Sequence, residues 1–340
     1  MIRVLIVDDS PTMRAVLQRA LRPAADIAVV GAVASAAEAG EMLDWCAVDL
    51  LLLDVALPGM SGLAFLERLM GDRPMPVIMI SAFTRSGARQ AVEALALGAI
   101  DCLGKPRNAA KDPSFGDLAE RVRTAARVRP RPARERVDPA RMEAAPAVTS
   151  SRIVAIGAST GGVEALGTLL AAFPKHCPPT VVALHLPAPF TASLAARLDR
   201  HAAPRVREAA EGMVLAPGEV LLAPGGLRHL TIAVGEEPRC VLRPGAPVSG
   251  HRPSVDMLFR SLAPRGADVV GLLMTGMGSD GAAGLQAIRA AGGRTLAQDA
   301  ASSVVYGMAR AAMARGAVER ERPLADLAPT LLRLAAAPGG

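Results

Sequence analysis

The sequence predicts an α/β protein of two domains, each built on a mostly parallel sheet, the second doubly wound and carrying an antiparallel hairpin. Short apolar runs alternate with segments whose apolar residues recur every three or four positions, which indicates buried strands followed by helices. Polar residues collect where those runs end, at the strand edge where parallel sheets carry their sites. A Pro/Arg/Ala-rich linker at 127–150 divides the 340 residues into domains 1–126 and 151–340.

Composition narrows the possible functions. The net charge is +6, but many of the arginines fall in the linker and aromatic residues make up only 2% of the chain, so nucleic-acid binding is not predicted. The four cysteines are widely spaced, which predicts buried free thiols in a reducing compartment. No signal peptide or membrane-spanning segment is predicted. We expect a cytoplasmic monomer that does not insert into the membrane.

The first domain begins with alternating strands and helices. The apolar run 2–7 predicts a strand buried on both faces, and Ser10-Pro11 after it opens a helix with an N-cap and a proline in the first turn. A second strand is predicted at 27–33. The capping box Ser35–Glu38 then starts a helix that runs through Leu43.

The rest of this domain repeats the pattern. Strands are predicted at 50–53, 77–80 and 99–103, and a helix over 114–126 closes the domain. This alternation favours a parallel sheet with right-handed crossovers.

Five polar residues lie at the carboxyl ends of these strands. Asp8, Asp9 and Asp54 would bring three carboxylates together, and such a group is stable when a hard cation lies among them, as Mg²⁺ does in all-oxygen sites. Lys105 and Ser81 could then hold phosphoryl oxygens. The alternative is that the acids are ordinary loop residues.

Residues 1–126 resemble a response-regulator receiver domain through VDDS, LLLLDVALPGMSG, MISA and the Lys105-Pro106 step. The resemblance implies a flavodoxin-like, five-stranded sheet in the order 2-1-3-4-5. It also implies that Asp54 accepts a phosphoryl group from a histidine kinase and that Ser81 is the switch hydroxyl, with Lys105 beside it.

The same resemblance implies that Asp8, Asp9, Asp54 and the Ala56 backbone carbonyl bind Mg²⁺, and that a cis peptide precedes Pro106. The sequence departs from the receiver pattern at Ala56 and Ser61, where acids are frequent. It also departs at Cys102, which replaces an aromatic switch residue, so the coupling of phosphorylation to the far face is open.

The second domain opens on IVAIGASTGG. Residues 153–157 predict a buried strand, and Ser159 stands at a sharp turn before a helix that follows Gly162. A serine at such a turn is presented at the tip of the sheet, as a nucleophile requires, next to helix N–H groups. Serine is also a frequent helix cap, so this stretch alone leaves both roles open.

The remaining elements also predict α/β structure. Strands are predicted at 180–186, 269–274 and 294–297, and 219–222, 230–234 and 240–242 are predicted as short strands in hairpins. Helices are predicted at 191–200, 254–262, 282–291 and from Ser303 to about Arg315.

Acyl transfer by serine needs a base and an acid that orients the base. Of the five histidines, His185 alone follows a buried strand; His176, His201, His229 and His251 lie in polar loops, turns or helix ends. Asp280 follows another strand through a Gly-rich loop. Taken singly, His185 could be a satisfied polar residue and Asp280 a helix cap, but together with Ser159 they indicate a catalytic triad.

Backbone donors for an oxyanion would come from Gly161, Gly162 and the Gly276–Gly278 loop. The whole chain is similar to the CheB family of chemotaxis-specific protein-glutamate methylesterase/glutamine deamidases, through GASTGG, ALHLP, GHRPSVD and TGMGSDGA behind a receiver and a linker. The resemblance implies that Ser159 is the nucleophile, His185 the general base and acid, and Asp280 the orienting acid. It implies a backbone donor at Met277, with Thr160, Gly161 and Gly162 supporting the same site, and no cofactor for hydrolysis.

The substrates implied are methylated glutamates and selected glutamines on the cytoplasmic helices of chemoreceptors. We hypothesise that the unphosphorylated receiver shields the catalytic face and that phosphate on Asp54 shifts the protein to an open form. An alternative is a phosphorylation-gated binding module with an inactive second domain, which labelling of Ser159 by a serine reagent would distinguish. A DNA-binding regulator is disfavoured because no helix-turn-helix follows the linker.

Overall fold

The chain forms two compact units, Met1–Arg136 and Val137–Gly340, in a computed structural model. The predicted linker 127–150 lies largely outside the described residues, as does the peptide bond before Pro106. The structure describes residues 1–82, 84–105, 115, 117–130 and 152–336.

The first unit contains a parallel five-stranded sheet in the order β2-β1-β3-β4-β5, which confirms the predicted flavodoxin-like arrangement. Strands β3 and β4 are fully buried, as expected for a parallel sheet with helices on both faces, whereas edge strand β2 is partly buried. They are β1 (Ile2–Val7), β2 (Ile27–Val33), β3 (Leu50–Asp54), β4 (Val77–Ser81) and β5 (Asp101–Gly104).

The helices of the first unit start at polar caps. Ser10, Ser35, Ser61 and Thr84 each accept a hydrogen bond from a backbone N–H of the first turn. The helices are α1 (Pro11–Leu21), α2 (Ala36–Trp45), α3 (Gly62–Asp72), α4 (Arg85–Ala96) and α5 (Leu118–Ala125).

Two elements of the first unit, β5 and α5, begin later than predicted. Strand β5 begins at Asp101 rather than at Ala99, because Ala99 and Ile100 form a buried loop whose apolar side chains resemble a strand in the sequence. Helix α5 begins at Leu118, later than the predicted 114.

The second unit contains a parallel seven-stranded sheet in the order β14-β13-β12-β6-β7-β9-β8. Beside it lies the predicted antiparallel hairpin, formed by β10 (Arg228–Ala233) and β11 (Arg239–Pro244). The sheet strands are β6 (Ile153–Ala158), β7 (Thr180–Leu184), β8 (Arg205–Glu208), β9 (Glu219–Leu222), β12 (Val269–Leu273), β13 (Arg294–Gln298) and β14 (Arg320–Arg322).

The prediction that Glu219–Leu222 belongs to a hairpin is wrong. Strand β9 pairs in parallel with β7 and β8 and extends the main sheet. Strand β8 was not predicted, because an edge strand that reads Arg-Val-Arg-Glu has no apolar run; Arg207 instead forms an ion pair with Glu219 at 2.8 Å.

The helices of the second unit cover both faces of its sheet. Helix α10 begins at Met308 and not at the predicted Ser303, because the preceding turn bonds to the loop after β12: Val305 N donates to Thr275 Oγ1 at 3.0 Å. Helix α11 was not predicted. The helices are α6 (Gly162–Ala171), α7 (Ala188–His201), α8 (Val255–Leu262), α9 (Ala282–Ala290), α10 (Met308–Ala314) and α11 (Leu324–Ala336), with a 3₁₀ helix at Ala263–Asp268.

Cysteine placement agrees with the prediction in three of four cases. Cys102, Cys177 and Cys240 are buried free thiols, whereas Cys46 is partly exposed at the end of α2.

Among the described residues, no helix combines the length and the apolar character needed to cross a bilayer.

Candidate active site and acidic site

The acidic site lies where β1 and β3 end. Because Val7 and Leu53 are register partners, the residues that follow them emerge side by side. Ligand oxygens of Asp8, Asp9 and Asp54 all lie within 4.8 Å of one another. The three predicted carboxylates therefore do meet.

Lys105 completes this cluster from the end of β5. Its Nζ lies 2.7 Å from Asp54 Oδ2 and 2.9 Å from Asp8 Oδ2. Burial disfavours the charged ammonium, but the two carboxylates outweigh burial and raise the pKa of Lys105. For Asp54 burial dominates, and its pKa is raised even though Lys105 lowers it. The Asp54 carboxylate thus lies where burial outweighs the positive charge of Lys105.

The donor set fits a hard divalent cation. Asp8 Oδ2 is buried and makes an ion pair with Lys105, but it has no partner in hydrogen-bond geometry among the described residues. Asp9 is exposed, so its carboxylate is reachable from solvent. Oxygen-only ligands of this kind suit Mg²⁺, which keeps waters in its shell.

Ser81 and Cys102 lie on neighbouring strands of this edge. The Ser81 hydroxyl is buried and donates to the Gly87 carbonyl at 3.0 Å, so it faces α4 and not the carboxylates. The Cys102 thiol is buried beside Met79, and burial raises its pKa well above the ordinary value. A small apolar thiol therefore occupies the predicted aromatic position.

Ser159 follows the last residue of β6 and precedes α6. The N-cap of α6 is Gly161, with φ of 77°, and no side chain caps this helix. A Cβ at Gly161 would lie 2.5 Å from Val304 Cβ, so the turn needs glycine in both conformation and space. Ser159 is consequently not the helix cap, and its hydroxyl is available for another role.

His185 and Asp280 form a hydrogen-bonded pair. His185 Nε2 lies 2.8 Å from Asp280 Oδ2, and both side chains are almost fully buried. An ionised carboxylate only accepts hydrogen bonds, so His185 carries its proton on Nε2 when neutral. Its Nδ1 then bears the lone pair.

Asp280 is fixed by the N-terminus of α8. Oδ2 accepts from Val255 N at 2.7 Å, while Oδ1 accepts from Ser254 Oγ at 2.8 Å and Asp256 N at 3.1 Å. The cap of its own following helix, α9, is Gly281. Burial raises the pKa of Asp280, but His185 and the backbone donors outweigh burial and hold that pKa below its ordinary value.

Ser159 and His185 share one sheet edge. His185 N donates to the carbonyl of Ala158, the residue before Ser159, at 3.3 Å. His185 Nδ1 is buried and has no hydrogen-bond partner in the part of the chain that the structure describes. The imidazole lone pair is therefore unused on the serine's strand edge, and the structure joins Asp280 to His185 but not His185 to Ser159.

The glycine loop after β12 lies against Ser159. Ser159 N donates to Thr275 O at 3.0 Å, and a Cβ at Gly276 would lie 2.7 Å from Ser159 Cβ. Gly162 N donates to Ser159 O at 2.7 Å, so this amide closes the turn. Met277 is half-buried, one residue beyond the contact.

Replacing Gly276 with alanine should destabilise the second unit by about 1–3 kcal/mol, because the added methyl group overlaps Ser159 Cβ and the Met308 side chain. The free energy of unfolding in urea measures this. Gly235→Ala is the matched control, since nothing lies within 4 Å of its Cβ position. Equal stability of the two variants would contradict the close approach.

Sequence reasoning missed two residues of this site, Ser254 and His251. The sequence predicts only that Ser254 begins α8 and that His251 lies in a polar loop. Each lies in GHRPSVD, a motif that carried the family resemblance without a role for its members. This motif, for which the sequence indicated no role, was the signal from which His251 and Ser254 could have been found.

The chain matches two protein-family models and is similar to named proteins over nearly its full length. The CheB methylesterase family model matches residues 154–331, and the response regulator receiver domain model matches residues 4–111. A Rhizobium etli protein named protein-glutamate methylesterase/protein-glutamine glutaminase is 49% identical, over 98% of this chain and 97% of its own length. A Caulobacter vibrioides protein with the same name, numbered 1, is 48% identical over 99% of this chain and 98% of its own.

A solved structure supports the same family for the second unit. The Thermotoga maritima CheB methylesterase catalytic domain is 32% identical, with a TM-score of 0.53, and the match covers 55% of this chain and all of that one. The two family models and these relatives together define a response regulator with a hydrolase output domain. The chain belongs to the CheB methylesterase family, as the sequence predicted.

Proposed function

We propose that this protein hydrolyses glutamate methyl esters, and deamidates selected glutamines, on the cytoplasmic helices of chemoreceptors, and that phosphorylation of its receiver domain activates it. The observation that carries the proposal is the buried His185–Asp280 pair with an unused Nδ1 on the strand edge of Ser159. Family membership supports the substrate class. The chain acts in the cytoplasm as a monomer.

In the proposed reaction, Ser159 Oγ attacks the ester or amide carbonyl and its proton passes to His185 Nδ1. Asp280 stays ionised, because its pKa lies below the ordinary value, and it stabilises the imidazolium through Nε2. The imidazolium then gives the proton to the leaving methoxide or amine, releasing methanol or ammonia. Water, deprotonated by the same Nδ1, attacks the acyl-enzyme, and the imidazolium returns this proton to Ser159 Oγ as the acyl bond breaks. The glutamate side chain is released and ionises to a carboxylate.

The backbone around Ser159 would stabilise the oxyanion. Met277 N–H is the proposed principal donor, since the Gly276 backbone is packed against the serine. Thr160, Gly161 and Gly162 support the turn, and the Gly162 amide does so by binding the Ser159 carbonyl. Hydrolysis in this scheme needs no cofactor.

In the receiver, Asp54 is the proposed phosphoacceptor and a histidine kinase the phosphodonor. Mg²⁺, when bound, would neutralise charge on the phosphoryl group; Asp8, Asp9, Asp54 and the Ala56 carbonyl would hold it. Lys105 already contacts Asp54 and would bind a phosphoryl oxygen. Ser81 would leave the Gly87 carbonyl to contact the phosphoryl group.

Asp54→Asn should abolish the stimulation of methanol release by acetyl phosphate, because the amide cannot form the acyl phosphate. The rate without phosphodonor should stay within about twofold of the parent, since Asp54 takes no part in hydrolysis. The assay is methanol release from methylated receptor membranes with and without acetyl phosphate.

The matched control is Asp44→Asn, on the exposed side of α2, which should respond to acetyl phosphate like the parent. Chelation of Mg²⁺ should reproduce the loss seen in Asp54→Asn without lowering the basal rate. Stimulation that survives in Asp54→Asn would exclude Asp54 as the phosphoacceptor.

A further inference from the structure

A second histidine lies on the ring of His185. The imidazoles of His185 and His251 are stacked with centroids 3.7 Å apart and planes inclined by 7°. The His185 side chain is only 6% exposed, and the stacked ring of His251 covers one of its faces. Nothing in the proposed reaction uses His251.

The backbone fixes His251 in this position. His251 N donates to Val248 O at 2.9 Å and His251 O accepts from Val248 N at 3.1 Å, which closes a tight loop. Arg252 anchors the next position: its Nε donates to Gly226 O at 2.6 Å and its Nη1 to Gly245 O at 2.5 Å. The stacked ring of His251 is therefore carried by a segment that several hydrogen bonds hold in place.

The same segment also holds the acid. Three residues after His251, Ser254 donates its hydroxyl to Asp280, and the amides of Val255 and Asp256 follow. Residues 251–256 thus contact the face of the His185 ring and both oxygens of the carboxylate at its edge. One short segment controls the ring plane and the hydrogen bond of the same imidazole.

We propose that His251 is a positioning residue for His185, which holds the imidazole plane by stacking and stabilises its protonated form while remaining neutral itself. The inference rests on the proposed role of His185 as the base. A parallel stack leaves both nitrogens of His185 in plane, so Nε2 keeps Asp280 and Nδ1 keeps its direction. A neutral aromatic face also attracts the imidazolium that forms in the transition state.

The electrostatics give this role a pH signature. Two titratable groups contact His185: the Asp280 carboxylate at its edge and His251 on its face. Behind Asp280 lies Asp256, and the Arg252 guanidinium is directed to backbone carbonyls. A proton on either stacked ring would repel a proton on the other, because the two ring centroids lie only 3.7 Å apart.

The test is a series of full-length variants, His251→Phe, His251→Ala and His251→Arg, assayed for methanol release from methylated receptor across pH. Phenylalanine keeps a neutral stacked ring and should hold kcat within about threefold of the parent, whereas alanine should lower kcat about tenfold with little change in KM. Arginine keeps a planar stack but adds a permanent charge. It should lower kcat further and move the acidic limb of the pH profile to lower pH than in His251→Phe.

The controls separate this inference from the proposed function. His201→Ala, at the exposed end of α7, should behave like the parent. If Ser159→Ala is inactive but all three His251 variants match the parent, only the role of His251 is excluded; if Ser159→Ala is active, the proposed site itself is wrong. A phenylalanine variant no better than alanine would overturn the stacking role.

Should a variant fail to fold, the unaltered protein still decides. NMR of the unaltered protein should show nuclear Overhauser contacts between the carbon-bound ring protons of His185 and His251, because the two rings are stacked with centroids 3.7 Å apart. Absence of any contact between the two rings would overturn the proposal.

Discussion

Replacing Ser159 with alanine should lower methanol release from methylated receptor by about 10³- to 10⁶-fold. The variant lacks the Ser159 hydroxyl, which belongs to the turn between β6 and α6, against the Gly276 backbone and on the strand edge that carries His185. Little stability should be lost, because the Ser159 hydroxyl does not cap α6. The measurement is the initial rate with phosphodonor present.

Ser193→Ala is the matched control, since it removes a half-buried serine hydroxyl from α7, away from the strand edge. It should keep the parental rate. A serine-directed reagent should label the parent and Ser193→Ala but not Ser159→Ala. Parental methanol release by Ser159→Ala would eliminate the proposed nucleophile, and a parent that is neither labelled nor active would favour the binding-module alternative.

Asp280→Asn should lower kcat about 10²- to 10⁴-fold. All four contacts of this carboxylate are accepted hydrogen bonds, from His185, Val255, Ser254 and Asp256. An asparagine must place an NH₂ group against two of these donors. Either His185 loses its Nε2 tautomer or the first turn of α8 loses its acceptor, and the rate falls in both cases.

The same substitution should also destabilise the second unit by about 2–4 kcal/mol in urea unfolding at pH 7, because buried donors lose their acceptor. Asp199→Asn is the control: Asp199 accepts one backbone bond from Val206, and the amide oxygen can replace it. Its activity should stay within about twofold of the parent. A fully active Asp280→Asn would show that other groups orient His185.

The pKa of Asp280 determines how this stability depends on pH. Since its folded pKa lies below the unfolded value, the ionised carboxylate contributes fully above the unfolded pKa, and the contribution is lost as pH falls through the folded pKa. Lowering the pH should therefore reduce the free energy of unfolding less in Asp280→Asn than in the parent.

Much of the fold could be read from the sequence, because buried parallel strands appear as continuous apolar runs. Ile2–Val7 and Val269–Leu273 are of this kind. Strands β8 and β14 are short, lie at the sheet edges and consist largely of charged residues, so they carry no such signal. The parallel pairing of β9 is a long-range choice that no local pattern encodes.

The site shows the same division. The common sheet edge of Ser159, His185 and Asp280 could be predicted because each residue follows a buried strand, and strand ends of one parallel sheet converge. Whether the serine caps a helix could not be predicted, because that depends on the φ of Gly161. His251 and Ser254 reach the site from a loop beyond the hairpin, and only tertiary packing brings that loop to His185.

Because the Asp280 carboxylate binds the first turn of α8, the proposed orientation of His185 is coupled to local opening of the fold. The amides of Val255 and Asp256 belong to a first helical turn, where N–H groups lack partners within the helix. Here the carboxylate of Asp280 takes both. A fluctuation that moves Asp280 away from both His185 and α8 would also expose these amides to solvent. The orientation of the His185 imidazole and the protection of the two amides from hydrogen exchange should therefore be lost together.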